Sequence, residues 1–222
     1  MKLMDPGMKK YVDLMVFDLD GTLVSSGGDI VTSVNHTLKT LDIPTREPDE
    51  IIGFVGDGVH KMIERALGQD FQHLFSEAID IFSVFYDKHM LDTTTLCHSV
   101  IEVLEYFSGK RKIIITNKRK YFTVKITNAL GISEYFDEII GADSTDCKKP
   151  DPRLLLPIIE KYGVECGHTV VIGDGINDIM LAKNAGVPSC AVLNGLTNRD
   201  TLLALNPDFA CEGLFELVSI FR

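Results

Sequence analysis

From about residue 99 onward the chain alternates apolar runs of strand length with segments of helical period, and few folds accept that order. Strand–helix–strand alternation builds a parallel sheet with helices on both faces. The pattern predicts helices over 100–107, 121–130, from near Pro152, and over 176–184, interleaved with strands over 112–116, 138–141, 169–172 and 189–193. An earlier apolar run, 12–17, supplies one more strand. Between them, residues 29–92 show helical spacing at 30–41, 59–67 and 71–90 with no convincing strand. The expected architecture is therefore a Rossmann-like α/β core, residues 1–24 and 95–222, with 1–10 as a loose leader. A helical cap, 25–94, is inserted after the first strand. A lid over the strand ends would exclude water and select substrates.

Composition narrows the function classes. The 222 residues carry 22 Lys plus Arg against 32 Asp plus Glu, a net charge of −10, which argues against nucleic acid or anionic membrane as a partner. Any anionic substrate must meet locally placed positive charge. Five cysteines without a Cys-x-x-Cys pair, and no His-Glu-x-x-His, disfavour a zinc framework and suit reduced thiols. No apolar stretch has signal-peptide or membrane-spanning length, so a cytoplasmic protein is expected, monomer or homodimer.

Four polar motifs stand out, three where predicted strands end and one in the loop before the helix near Pro152. The first is Asp18-Leu19-Asp20-Gly21-Thr22. Extended geometry points positions i and i+2 to one face, roughly 7 Å apart, so Asp18 and Asp20 should share a site. An EF-hand loop does not fit, because glycine already stands at the fourth place. The second motif, Thr116-Asn117-Lys118, offers a hydroxyl, a carboxamide and an ammonium. In the third, Lys149-Pro150-Asp151-Pro152, proline restrains the loop that carries an anion-binding Lys149. The fourth, Gly173-Asp174-Gly175-Ile176-Asn177-Asp178, approaches a dinucleotide fingerprint but puts an acid where the third glycine belongs. Carboxylates at Asp18, Asp174 and Asp178 would repel one another unless a cation sat among them, and hard oxygen donors in an open site favour Mg²⁺.

With these motifs in this order, the sequence resembles the haloacid dehalogenase superfamily of aspartate-nucleophile phosphatases, most nearly its phosphoglycolate phosphatase-like branch. The resemblance spans nearly the whole chain and includes Gly56-Asp57-Gly58 ahead of Glu64-Arg65-Ala66-Leu67, similar to the family's substrate-facing cap loop. It implies a catalytic set of Asp18 as nucleophile, Asp20 as general acid/base, and Thr116 and Lys149. It also implies phosphoryl binding by Thr116, Asn117 and Lys149, and Mg²⁺ held by Asp18, the Asp20 carbonyl, Asp174 and Asp178. Asp178 is either a further metal ligand or an orienter of Lys149. The implied activity is Mg²⁺-dependent hydrolysis of a small phosphorylated metabolite, phosphoglycolate leading. The alternatives are a phosphosugar mutase, a pyrophosphatase or nucleotidase of the same fold, and a non-catalytic nucleotide-binding module. His60, Lys61 and Arg65 are the cap donors open to a substrate carboxylate. One departure is Leu96-Cys97-His98-Ser99-Val100, where close relatives usually carry Pro-Tyr-Pro-Gly-Val at the second cap hinge.

Overall fold

The computed structural model describes residues 9–222. The expected leader therefore lies largely outside the described residues, but Lys10 is not loose: it pairs in parallel with Phe221, and its carbonyl accepts from the Arg222 N–H. Strands and helices follow in chain order. They are β1 (Leu14–Phe17), β2 (Val24–Ser25), α1 (Gly27–Thr40), α2 (Pro48–Ile52), α3 (Val59–Leu67), α4 (Phe75–His89), β3 (Thr95–Leu96), α5 (Val100–Tyr106) and β4 (Arg111–Ile115). Then come α6 (Lys120–Ala129), β5 (Glu138–Ile140), α7 (Leu156–Tyr162), β6 (Thr169–Gly173), α8 (Ile176–Ala185), β7 (Ser189–Val192), α9 (Arg199–Ala204), β8 (Phe209–Cys211) and α10 (Leu217–Ile220).

Six strands form one sheet in the order β5-β4-β1-β6-β7-β8, all pairs parallel. A parallel sheet hides both faces, so its strands must be apolar throughout, and every residue of β1 is buried. Leu14 and Val16 pack with Ile113, Ile115, Val171 and Leu181 on one face. Met15 and Phe17 join Ile114, Val170 and Ile172 on the other, in a cluster continuous with Val34, Ile63 and Phe82 of the insert. Because β1 lies between β4 and β6, the carboxyl ends of these three strands converge on one edge.

The insert is helical as expected, and two helix starts, one in the insert and one in the core, differ in detail. The predicted 71–90 helix begins with a separate 3₁₀ turn, Gln72–Leu74, and only then runs as α4. Likewise Pro152–Leu154 is a 3₁₀ turn and α7 starts at Leu156. The chain enters and leaves the insert through the antiparallel ribbon β2–β3, with Val24 opposite Leu96 and Ser25 opposite Thr95. Beside it the buried Asp29 carboxylate accepts from the backbone N–H and the hydroxyl of both Thr93 and Thr94, at 2.6–3.1 Å. This staple joins the start of α1 to the returning strand. Ser99 has φ 61, ψ 21, so the position where relatives usually carry glycine keeps a left-handed backbone despite its side chain.

Candidate active site

Each motif reaches the converging edge for a local reason. Gly21, at φ +84, lets the chain turn sharply after Asp20, and a Cβ there would fall within 3.0 Å of the Asp174 carboxyl group. Gly195, after β7, approaches Asp174 comparably closely. The Asp174 side chain thus occupies space that two positions leave by lacking a Cβ. Its Oδ1 accepts from the Thr22 hydroxyl at 2.6 Å and its Oδ2 from the Leu196 N–H at 2.7 Å.

Asp18, Asp174 and Asp178 each present a carboxylate oxygen within 4.8 Å of the others. Burial raises Asp174 and Asp178 above the ordinary aspartate range, and the charge on Asp18 raises both further. Three hard oxygen donors in so small a space, with charge that their surroundings do not neutralise, fit a divalent cation such as Mg²⁺. Lys149 enters the same cluster: its Nζ donates to Asp18 Oδ1 and to Asp178 Oδ1, each at 2.6 Å. Burial works to discharge the Lys149 ammonium, but Asp178 and Asp18 outweigh it, and its pKa lies above the usual lysine value. Asp178 Oδ2 also accepts from the Gly175 N–H at 2.9 Å. Asp178 therefore orients Lys149 while remaining part of the carboxylate cluster with Asp18 and Asp174.

Asp18, Asp20, Thr116, Asn117, Lys149 and Asp174 line a single cleft between sheet and insert. Thr116 is buried, and its Oγ1 accepts from the Lys118 N–H at 3.2 Å, an arrangement that leaves the hydroxyl proton to a ligand. Asn117 differs from the expectation of direct binding through its side chain. Its Oδ1 accepts from the Lys149 N–H, and its Nδ2 donates to the carbonyls of Lys149 and Gly56. The carboxamide thus splints the lysine loop and docks the insert. Asn177 adds to that docking, with Nδ2 donating to Asp57 Oδ1 at 2.8 Å and to the Gly56 carbonyl at 3.1 Å.

The three cap residues considered as donors to a substrate carboxylate are engaged elsewhere, and none lines the cleft. Lys61 pairs with Glu64, Arg65 with Asp57, and His60 lies against Phe75. Short helical spacing put them on the right helix but could not say which face met the sheet. Sequence reasoning also missed what holds Asp20. Lys118 Nζ contacts both Asp20 oxygens, at 2.6 and 2.9 Å, and the Ser26 hydroxyl donates to Oδ1 at 2.5 Å. Lys118 stood inside a recognised motif, so an unassigned ammonium at a strand end was the available signal. Gly195 and Leu196 had only the general rule that ligands gather at carboxyl ends of strands.

The family model described as haloacid dehalogenase-like hydrolase matches residues 15–192. A phosphoglycolate phosphatase of Vibrio parahaemolyticus is 32% identical over 218 residues, covering 94% of this chain and 96% of that protein. One from Agrobacterium fabrum is 35% identical over 205 residues, covering 90% and 88%. Among solved structures, a predicted phosphoglycolate phosphatase from Haemophilus somnus superposes with a TM-score of 0.88 at 27% identity, over 96% of this chain and 99% of that one. The sheet order, the inserted helices and these likenesses agree: the chain belongs to the haloacid dehalogenase-like hydrolase family, as an enzyme of its phosphatase kind.

Proposed function

We propose that the protein is a Mg²⁺-dependent phosphomonoester hydrolase that works through a phosphoaspartyl intermediate on Asp18, with 2-phosphoglycolate its leading substrate. The observation that carries this reading is the Lys149 ammonium bridging Asp18 and Asp178 at the sheet edge where Thr116 and Asp174 also converge. Residues 25–94 act as the cap that closes over this edge.

Thr116 and Lys149 bind the phosphoryl oxygens, the hydroxyl by hydrogen bond and the ammonium by charge. With one Asp18 oxygen held by Lys149, the other attacks phosphorus, and the bond from phosphorus to the leaving alkoxide breaks. Asp20 gives its proton to that alkoxide, then takes one from the water that attacks phosphorus and releases phosphate, restoring the Asp18 carboxylate. Asp18, Asp174, Asp178 and the Asp20 carbonyl would hold Mg²⁺, which offsets the negative charge gathered between the phosphoryl group and Asp18. The insert excludes bulk water while it is docked through Gly56. The relatives' activity on phosphoglycolate and the small, largely apolar cleft support a small metabolite rather than nucleic acid or a membrane.

A phosphate-release assay over a panel of phosphomonoesters, with and without Mg²⁺, tests the reading. Turnover of 2-phosphoglycolate that needs Mg²⁺ and vanishes in Asp18→Asn is expected. Near-normal phosphate release by that variant would overturn it.

A further inference from the structure

Tyr86 projects from α4 into the junction of insert and sheet. It is 1% exposed, and its hydroxyl is the one buried side-chain polar atom without a hydrogen bond of good geometry among the described residues, the Lys118 ammonium lying close by. Its ring is fixed, stacked on Phe82 at 5.3 Å and edge-on to Phe122 at 5.2 Å between centroids, so the hydroxyl has little freedom to seek a partner. Lys118 Nζ lies 5.0 Å from the ring centroid, which places the phenol beside the Asp20 ion pair and in the wall of the substrate cleft. Buried hydroxyls are almost always bonded, and one left open on a cleft points to a ligand atom.

The local charges point the same way. Lys149 is neutralised by Asp18 and Asp178, and Lys118 by Asp20. Arg119, next in the chain, lines the same cleft, and among the described residues no carboxylate lies within ion-pair distance of it. Most of the remaining wall is apolar, including Ile30, Val59 and Met62. A polyhydroxylated leaving group would lose water there without gaining partners. A single carboxylate would find a phenol donor and a guanidinium.

We propose that Tyr86 and Arg119 form the subsite for a carboxylate carried on the leaving group, the phenol donating a hydrogen bond and the guanidinium supplying the charge; the subsite rests on the phosphomonoesterase reading above. The two residues are then the specificity determinants that His60, Lys61 and Arg65 are not.

The test measures kcat/KM of the Mg²⁺-loaded enzyme for 2-phosphoglycolate and for ethyl phosphate, which has the same length and no carboxylate. The wild type is expected to prefer 2-phosphoglycolate by 100-fold or more. Tyr86→Phe and Arg119→Ala should each cut that preference at least tenfold, mainly by raising KM for 2-phosphoglycolate, and Arg119→Lys should recover part of it. Tyr86→Phe should melt close to the wild type, since it keeps the ring and removes a hydroxyl with no hydrogen bond of good geometry. Equal losses on both esters would overturn the subsite and leave Tyr86 as a support for Lys118 and Asp20. A wild type that hydrolyses p-nitrophenyl phosphate yet shows no preference between the two esters would also overturn it, with the hydrolase reading intact. No phosphate release from any of the three would sink both.

Discussion

Gly195→Ala is a substitution outside every motif that should nevertheless disable the enzyme. Gly195 does not have a left-handed backbone, so alanine suits its conformation and the effect comes from the added methyl alone. That Cβ would lie within 3.0 Å of Asp174 Cβ, Cγ and Oδ2, where ordinary contacts are 3.4–4 Å. Asp174 has little freedom to retreat, because Gly21 also packs closely against its carboxyl group and Thr22 holds its Oδ1. Either the carboxylate or the loop bearing Leu196 must shift by on the order of 1 Å, and the 2.7 Å bond from the Leu196 N–H to Oδ2 is lost. Misplacement by about 1 Å costs roughly 10²-fold in rate. Overpacking adds a stability loss of about 1–3 kcal/mol, or about 2–4 °C in Tm per kcal/mol for a chain of this size. The assay is phosphate release against Mg²⁺ concentration, with circular dichroism to confirm folding. The account expects a folded protein with kcat/KM down about 100-fold and a raised Mg²⁺ requirement. Wild-type activity with an unchanged Mg²⁺ midpoint would refute the close packing of Gly195 on Asp174.

Two further predictions concern stability. Asp29→Asn turns one of the two oxygens that accept from four donors of Thr93 and Thr94 into an amide donor facing those donors, and should cost about 2–4 kcal/mol in denaturant unfolding. Burial alone would raise the Asp29 pKa, but those bonds outweigh it and hold it below the ordinary value, so its contribution is full above about 3.8 and fades as pH falls further. An unfolding free energy for the variant within 0.5 kcal/mol of wild type, roughly the scatter of a surface change, would rule out the staple. In metal-free protein, burial foremost, with the charge on Asp18 beside them, raises Asp174 and Asp178 above the 3.8 of unfolded aspartate. The folded state then holds extra protons above that value, so the Tm of EDTA-treated protein should fall as pH rises above about 4. Saturating Mg²⁺ should flatten or reverse that slope; a metal-free Tm that climbs over that range would contradict it.

The core was legible because its signals are local. β1, β4 and β6 are short apolar runs ending in polar motifs, and parallel pairing brings those ends together whatever the helices between them do. Asp18, Thr116 and Asp174 stand at those ends, whereas Lys149, in a loop after β5, was named through the family resemblance. What could not be read depended on orientation across the fold. Helical periodicity identified α3 but not which of its faces the sheet would meet, so Lys61 and Arg65 stood as candidates while Tyr86, on α4, was not singled out. Asn117 looked like a ligand donor because its partners, Gly56 and Lys149, are 61 and 32 residues away. Gly195 carried no chemistry, and only its closeness to Asp174 gives it a role.

The most direct measurement locates the phosphoryl group. Enzyme mixed with 2-phosphoglycolate and Mg²⁺, quenched in acid during turnover and mapped by mass spectrometry, should carry the group on the peptide containing Asp18, with none in Asp18→Asn. A phosphoryl group found on another residue, or steady turnover by Asp18→Asn, would contradict an aspartyl nucleophile at the end of β1.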